Sequence, residues 1–243
     1  MKLIHSTLAV AALATLTPSM PLMAQAAPLS VPAGEYVLEK THASLTWKIN
    51  HMGLSYYTAR FTSFDSTINL DPKTPTNSTV SVTIDPRSVK TDFPFPEKED
   101  FDKVLGTDEK WLAGDKHPEI RFVSTGIRRT GPNSGQITGD LSFRGVTKPV
   151  TLAATWNGAI EHPFRKKPVF GVSAKGTIKR SEFGMTNYIP MIGDEVFTEP
   201  EKVIELADGE PGPTPLVVPA PTVLEGQRRR RPGGRPHLTG GHL

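Results

Sequence analysis

Between Gln136 and Trp156 the chain alternates apolar and polar residues on both sides of one glycine-centred turn at Gly145. Ile137, Leu141 and Phe143 share one parity before the turn, and Val150, Leu152, Ala154 and Trp156 share one parity after it. A period of two interrupted by a glycine turn predicts a β-hairpin with one apolar face. Thr138, Asp140, Ser142, Thr151 and Thr155 fall on the opposite face, which water covers. The apolar face must meet either packed side chains or a ligand.

The same rhythm recurs along the chain. Leu45, Trp47 and Ile49 mark a first strand, Phe61 and Ile68 to Leu70 the next pair, and Val80, Val82 and Ile84 a strand ended by Asp85-Pro86. Ile120 and Phe122 open another, and Phe170, Val172, Ala174 and Ile178 carry one face of a long strand after the hairpin. Only Pro96 to Leu112 breaks the pattern. Phe101, Val104 and Leu105 sit there at helical spacing behind Glu97, Glu99, Asp100 and Asp102, whose charges favour a helix N-terminus. Gly106 should interrupt this helix, and Asp108 to Leu112 should add a second turn carrying Trp111, so that a short helical cover closes a sheet edge or a barrel mouth. Seven or eight alternating strands with one helical insertion fit a sandwich or a closed barrel. Periodicity alone leaves both open.

The two ends of the chain read differently. Lys2, the apolar run Leu8 to Leu16 and Ala24-Gln25-Ala26 match a secretory signal peptide over residues 1–26, and the run is too short to span a bilayer. A cleaved signal predicts an exported, periplasmic or secreted protein with no stable membrane insertion. Residues 209–243 are rich in Pro, Gly and Arg, with Arg228 to Arg231 in a row, and read as a disordered tail. The domain is then residues 27–208, about 180 residues and enough for a sizeable core. Of the formal charge of +3, Lys2 contributes one and the tail a net three, which leaves −1 on the domain. Such a domain lacks the basic footprint of a nucleic-acid binder. With no cysteine, thiolate chemistry, disulfides and Cys-ligated metals are excluded.

Catalytic signals are weak. His42 and His51 fall on opposite strand parities and cannot share a metal there, and His117 and His162 each precede a proline. Gly171 to Gly176 resembles a serine nucleophile elbow only loosely, because the second glycine is one residue too far and no helix follows. Ser173 reads instead as a solvent-facing strand residue. The inward aromatics Trp47, Phe61, Phe64, Phe122, Phe143, Trp156 and Phe170 fit a packed core, yet the small residues Gly139, Ala154, Ala174 and Gly176 among them leave volume for an apolar chain.

Four segments stand in order: Thr41 to Ser44 leading to His51; Pro118 to Phe122; Gly139 to Val150; and Arg180 to Met185 leading to Gly193-Asp194-Glu195-Val196. Together they resemble the YceI-like family of bacterial periplasmic proteins over about residues 35 to 196. The resemblance implies an all-β fold, an antiparallel lipocalin-like barrel of about eight strands with a short helical insertion. It implies a lumen that holds a polyisoprenoid, quinone-like or similar long-chain amphiphile, for carriage, storage or envelope stress response, with no catalytic residue, metal or cofactor. A ligand-free interaction barrel, or a hydrolase or isomerase using the cavity, are the competing functions, and a homodimer is compatible with such a barrel.

On this reading the lumen wall comprises Leu45, Trp47, Ile49, Phe61, Val82, Ile84, Phe122, Leu141, Phe143, Leu152, Phe170, Val172, Ile178 and Met185. His51, Arg60 and Arg180 are the candidates for a head group at the barrel mouth. Two departures from the family pattern stand out. Ala59 replaces a glycine, which should alter a barrel bend slightly, and Phe197 to Glu201 interrupts the closing strand with Pro200, which cannot donate a ladder hydrogen bond. The interruption predicts a reading-frame shift near Phe197 and a short or defective closing strand, to which Val203, Ile204 and Leu206 contribute.

Overall fold

The computed structural model describes residues 29–199 and the backbone of 203–207; the signal peptide and the tail expected from the sequence lie outside the described residues. Its strands are β1 (Gly34–Leu38), β2 (Leu45–His51), β3 (Ser55–Phe61), β4 (Phe64–Leu70), β5 (Thr79–Ile84), β6 (Val89–Lys90), β7 (Ile120–Arg129), β8 (Ser134–Phe143), β9 (Val146–Glu161), β10 (Pro168–Lys179), β11 (Ile192–Glu199) and β12 (Val203–Ala207). One α-helix, α1 (Phe101–Thr107), precedes β7.

All pairings are antiparallel, in the order β12-β1-β4-β5-β7-β8-β9-β10-β11-β2-β3-β6, with β12 also paired to β10. That last pairing closes a ring of eight strands. The remaining strands extend the ring, because β2 continues β1, β4 continues β3, β6 continues β5 and β12 continues β11. Eight long runs of chain, four of them broken once, therefore build a lipocalin-like barrel. Closure removes most sheet edges.

The hairpin read from the sequence is β8–β9, paired from Phe143↔Val146 to Ser134↔Thr155. Its turn residues Arg144 and Gly145 have φ of 52° and 76°, the left-handed pair that a two-residue hairpin loop requires. β1 escaped the sequence reading, which began the sheet at Leu45. The closing strand is more complete than the sequence suggested. β11 runs past Val196 to Glu199, with Phe197 opposite Lys48 and Thr198 opposite Trp47, and β12 pairs with β1 at Leu38↔Glu205 and with β10 at Val169↔Leu206.

The helical insertion has the two expected parts, α1 and a following turn in which Trp111 N donates to Asp108 O at 2.9 Å. α1 is capped by Asp100, whose side chain accepts from Lys103 N, and ends at Thr107. Gly106 lies inside it and does not interrupt it; a Cβ there would approach Arg87 Cα at 3.0 Å, so the glycine serves close packing against the Arg87 backbone. The helix covers the edge strand β6: Asp102 accepts from Thr91 N at 2.8 Å and from Thr91 Oγ1 at 2.6 Å. Ala59 is buried within a regular β2–β3 ladder opposite Trp47, with no bulge at that point.

Buried side chains form two clusters. One gathers Phe61, Val89, Leu105, Leu112, Ile120, Phe143, Phe183 and Met185. The other gathers Val31, Tyr36, Ile68, Leu70 and Phe170, with the Trp156 ring stacked on Phe170 at 4.8 Å. The turns β4–β5, β7–β8 and β9–β10 lie at the end of the second cluster. The turns β2–β3 and β8–β9 and the segment joining β10 to β11 lie at the other.

Candidate functional site

A cavity of about 520 Å³ runs inside the barrel, within the usual range for small-molecule sites. All fourteen side chains assigned to the lumen wall line it. On β8 alone its lining extends from Ser134 to Phe143, nine residue steps or about 30 Å of strand, which at barrel tilt is about 23 Å of depth. The lining also includes Tyr57, Phe64, Phe101, Leu105, Trp111 and Leu112. The helical insertion thus contributes to the wall, a role its amphipathic spacing did not disclose. All three tryptophans of the chain, Trp47, Trp111 and Trp156, face this cavity.

Its small residues act in two ways. Gly135, Ala154 and Ala174 are neighbours across β8, β9 and β10, and all three line the cavity, so the wall recedes there. Gly139 and Gly176, also read as space-giving, instead admit neighbouring side chains. A Cβ on Gly139 would overlap the Phe122 ring, and one on Gly176 would overlap Leu152 Cδ2.

Polar atoms on the wall are few and mostly engaged. Ser78 Oγ accepts from Asp71 N at 2.9 Å, and Thr198 Oγ1 bonds Gly176 N at 2.8 Å and Gly176 O at 3.2 Å. Trp47 Nε1 is a buried donor with no partner. The midsection of the cavity therefore offers almost no directional chemistry.

The three head-group candidates separate. His51 lines the cavity at the end of β2. Arg60 does not reach it: Ala59 and Phe61 take the inward parity of β3, and Arg60 points outward to Asp92 at 2.6 Å. Arg180 touches the wall, but it is 0% exposed and its guanidinium donates to the carbonyls of Gly193, Met185, Asn187 and Ile192 at 2.8–3.0 Å. These bonds fasten the β10–β11 connection and leave little for a ligand. Burial pushes the Arg180 pKa down, opposed by the Asp194 carboxylate. Asp194 is itself pushed up by burial, but the Ser181 N–H and O–H bonds at 2.8 and 2.7 Å outweigh this and hold it below its usual range.

Arg144 is a second buried-side fastener. It donates to the carbonyls of Phe183 at 3.0 Å, Gly184 at 3.3 Å and Trp111, joining three segments at the end away from the β7–β8 turn.

Among the described residues, the solvent-exposed members of the lining lie at one end. They are Pro132, Asn133, Ser134 and Thr155, around the β7–β8 turn, where Trp156 N also donates to Asn133 O at 2.8 Å. Arg129 lines the same end and donates to Pro132 O at 2.6 Å. Alternation identifies which face is inward but carries no information about which end is open, so these residues were missed. Gly131-Pro132-Asn133-Ser134, a turn between two alternating strands, was the available signal.

Two further histidines of the described residues, His42 and His162, serve the scaffold. His42 Nδ1 pairs with Glu39 outside the cavity, and His162 Nδ1 accepts from Phe164 N and Arg165 N at 3.2 Å. Among the described residues no group of three His, Cys, Asp or Glu side chains could hold a metal, and no helix is long and apolar enough to cross a membrane.

Comparison with known proteins agrees with this architecture. The UPF0312 protein of Pseudomonas fluorescens strain SBW25 is 36% identical over 157 residues, covering 64% of this chain and 78% of that protein. A Campylobacter jejuni YceI protein superposes with a TM-score of 0.56 at 24% identity, covering 70% of this chain and 96% of that one. A polyisoprenoid binding domain from Saccharophagus degradans, implicated in plant cell wall breakdown, superposes with a TM-score of 0.51 at 12% identity, covering 71% of this chain and 98% of that one. The YceI-like domain matches residues 36–199, from the middle of β1 to the end of β11, and the chain belongs to this family.

Proposed function

We propose that the protein binds a long-chain isoprenoid, a quinone-like or similar amphiphile, with the chain along the cavity and the head group at the open end. The observation that carries this reading is the continuous apolar wall between Ser134 and Phe143, along which the Ser78 and Thr198 hydroxyls are bonded to backbone groups. A hydrocarbon chain needs no directional partners, and its burial contributes about 25 cal/mol per Å² before the cost of association. The use of this fold as a polyisoprenoid binding domain in another protein supports the assignment.

Arg129, Asn133 and Ser134 are the polar groups placed to meet a head group at the open end, with His51 at the far end. The protein acts as a carrier or store and not as a catalyst, in the periplasm, after export directed by residues 1–26. The test is a titration with isoprenoid quinones of increasing chain length. Because every tryptophan lines the cavity, a bound quinone quenches intrinsic fluorescence. Affinity should rise with each added isoprene unit until the cavity is full; quenching independent of chain length would refute the proposal.

A further inference from the structure

The open end of the cavity is also where β9 and β10 overrun their neighbours. β9 leaves β8 at Thr155 and continues to Glu161, so the hairpin tip, residues 162–167, projects beyond the β7–β8 turn. The tip has a defined shape. His162 N donates to Lys167 O at 2.8 Å, Lys166 N to His162 O at 2.9 Å, and the His162 ring accepts from two further backbone N–H groups. On this frame Phe164 is 89% exposed and Ile160, just before it, is 64% exposed. Ile160 and Phe164 are thus an exposed apolar pair carried on a hydrogen-bonded tip, with the Phe164 ring centroid 6.1 Å from that of His162.

Among the described residues, cations outnumber acids at this end: Lys73, Arg128, Arg129, Arg165, Lys166 and Lys167 stand against Glu35, Glu39, Asp71 and Glu161, with Arg165 near Glu39 at 3.8 Å. Lys166 makes only a 3.9 Å contact with Glu161, both side chains well exposed. An apolar ring flanked by cations matches an interfacial anchor, in which the ring enters the acyl boundary and the cations meet lipid phosphates. The far end differs. Met52, Leu54, Tyr56, Tyr188, Ile189 and Met191 are exposed there, but the segments 52–57 and 184–193 carry no charge, and no exposed residue of the cavity lining lies among them.

From this we infer that the open end docks on an anionic bilayer, with Phe164 inserted and Lys166 and Lys167 against the phosphates, so that the cavity mouth opens onto the membrane. A water-insoluble chain then enters or leaves without crossing bulk water. The inference rests on the lipid reading of the cavity.

The absence of cysteine makes the test site-specific. In the full chain, Phe164→Cys carrying an environment-sensitive NBD label is mixed with phosphatidylcholine vesicles, with and without phosphatidylglycerol and free of isoprenoid. The label should brighten and shift to the blue only with phosphatidylglycerol, and the effect should fade at high salt. Lys166→Gln with Lys167→Gln should lower the partition roughly 25-fold, since each cation near an anionic surface is worth about fivefold. The same label at Leu54→Cys should not respond. The Arg228 to Arg231 run is common to all variants and cancels in the comparison.

A silent label at position 164, an equal response without phosphatidylglycerol, no loss in the Gln variant, or a response at position 54 instead would each overturn the proposal. So would a response that needs only higher protein concentration, which would assign the tip to a second copy of the chain. Docking without quinone binding would refute the cavity reading alone, and quinone binding without docking would refute this inference alone.

Discussion

Replacing Ala154 by phenylalanine tests whether the lumen is open space or packed core. Ala154 lies between Gly135 and Ala174, in the shallowest part of the wall. A phenyl ring placed there fills part of a cavity of about 520 Å³ and removes no existing contact. Burying such a ring is worth about 1.5–3 kcal/mol relative to leaving it in water. After allowance for the entropy of ordering it, the ligand-free domain should gain about 1–2 kcal/mol. For a domain of this size the gain raises Tm by about 2–8 °C.

The ligand should respond in the opposite direction. A ring that displaces about 50–100 Å² of lipid contact removes about 1.3–2.5 kcal/mol, or roughly ten- to seventyfold in affinity. The assays are calorimetric melting of delipidated protein and quenching titration with an isoprenoid quinone. Overpacking a filled core would instead destabilise by about 1–3 kcal/mol. A lowered Tm with unchanged quinone affinity would refute the open lumen.

Three further outcomes follow from the same structure. Arg180→Met strands four carbonyls around the β10–β11 connection and should cost about 4 kcal/mol or more by urea denaturation, a large part of a typical domain's stability; a loss under about 1 kcal/mol would contradict the fastening role. Gly139→Ala puts a Cβ into the Phe122 ring and 2.5 Å from the Val123 carbonyl oxygen, and should cost about 1–3 kcal/mol in the same assay, whereas a neutral result would show that the ring is free to move.

Acid should destabilise the fold through Glu39, Asp102 and Asp194. Each is pushed up by burial but held below its ordinary pKa by hydrogen bonds from Thr41 and His42, from Thr91, and from Ser181 respectively. A lowered folded-state pKa gives stability that is complete above the unfolded-state value, near pH 4, and lost as pH falls through the folded one. Ser181→Ala should flatten this dependence in urea titrations between pH 7 and pH 3, and an unchanged slope would count against the Asp194 contribution.

Much of the barrel was legible because alternation is a direct consequence of strand geometry. From Ile137 to Trp156 each inward residue followed from period two and one turn. The outward direction of Arg60 is legible too, since it neighbours the inward Phe61, whereas its place at the barrel mouth rested on the family resemblance alone. Arg180 was not readable: its partners are backbone carbonyls brought near by the fold, and carbonyls leave no mark in a sequence. β1 was missed because five residues, of which Tyr36 and Leu38 are buried, give too short a pattern. Gly106 misled for a related reason. Its meaning lies in the approach of Arg87, across the space between α1 and the β5–β6 corner.

The central claim, that the apolar lumen holds a long-chain lipid, is tested most directly by native mass spectrometry of the full chain purified without detergent from a host that makes isoprenoid lipids. The account predicts a species heavier than the polypeptide by one isoprenoid-class lipid, released on collisional activation and depleted in Ala154→Phe. Repeated recovery of the bare polypeptide alone, from a host shown to contain such lipids, would contradict it.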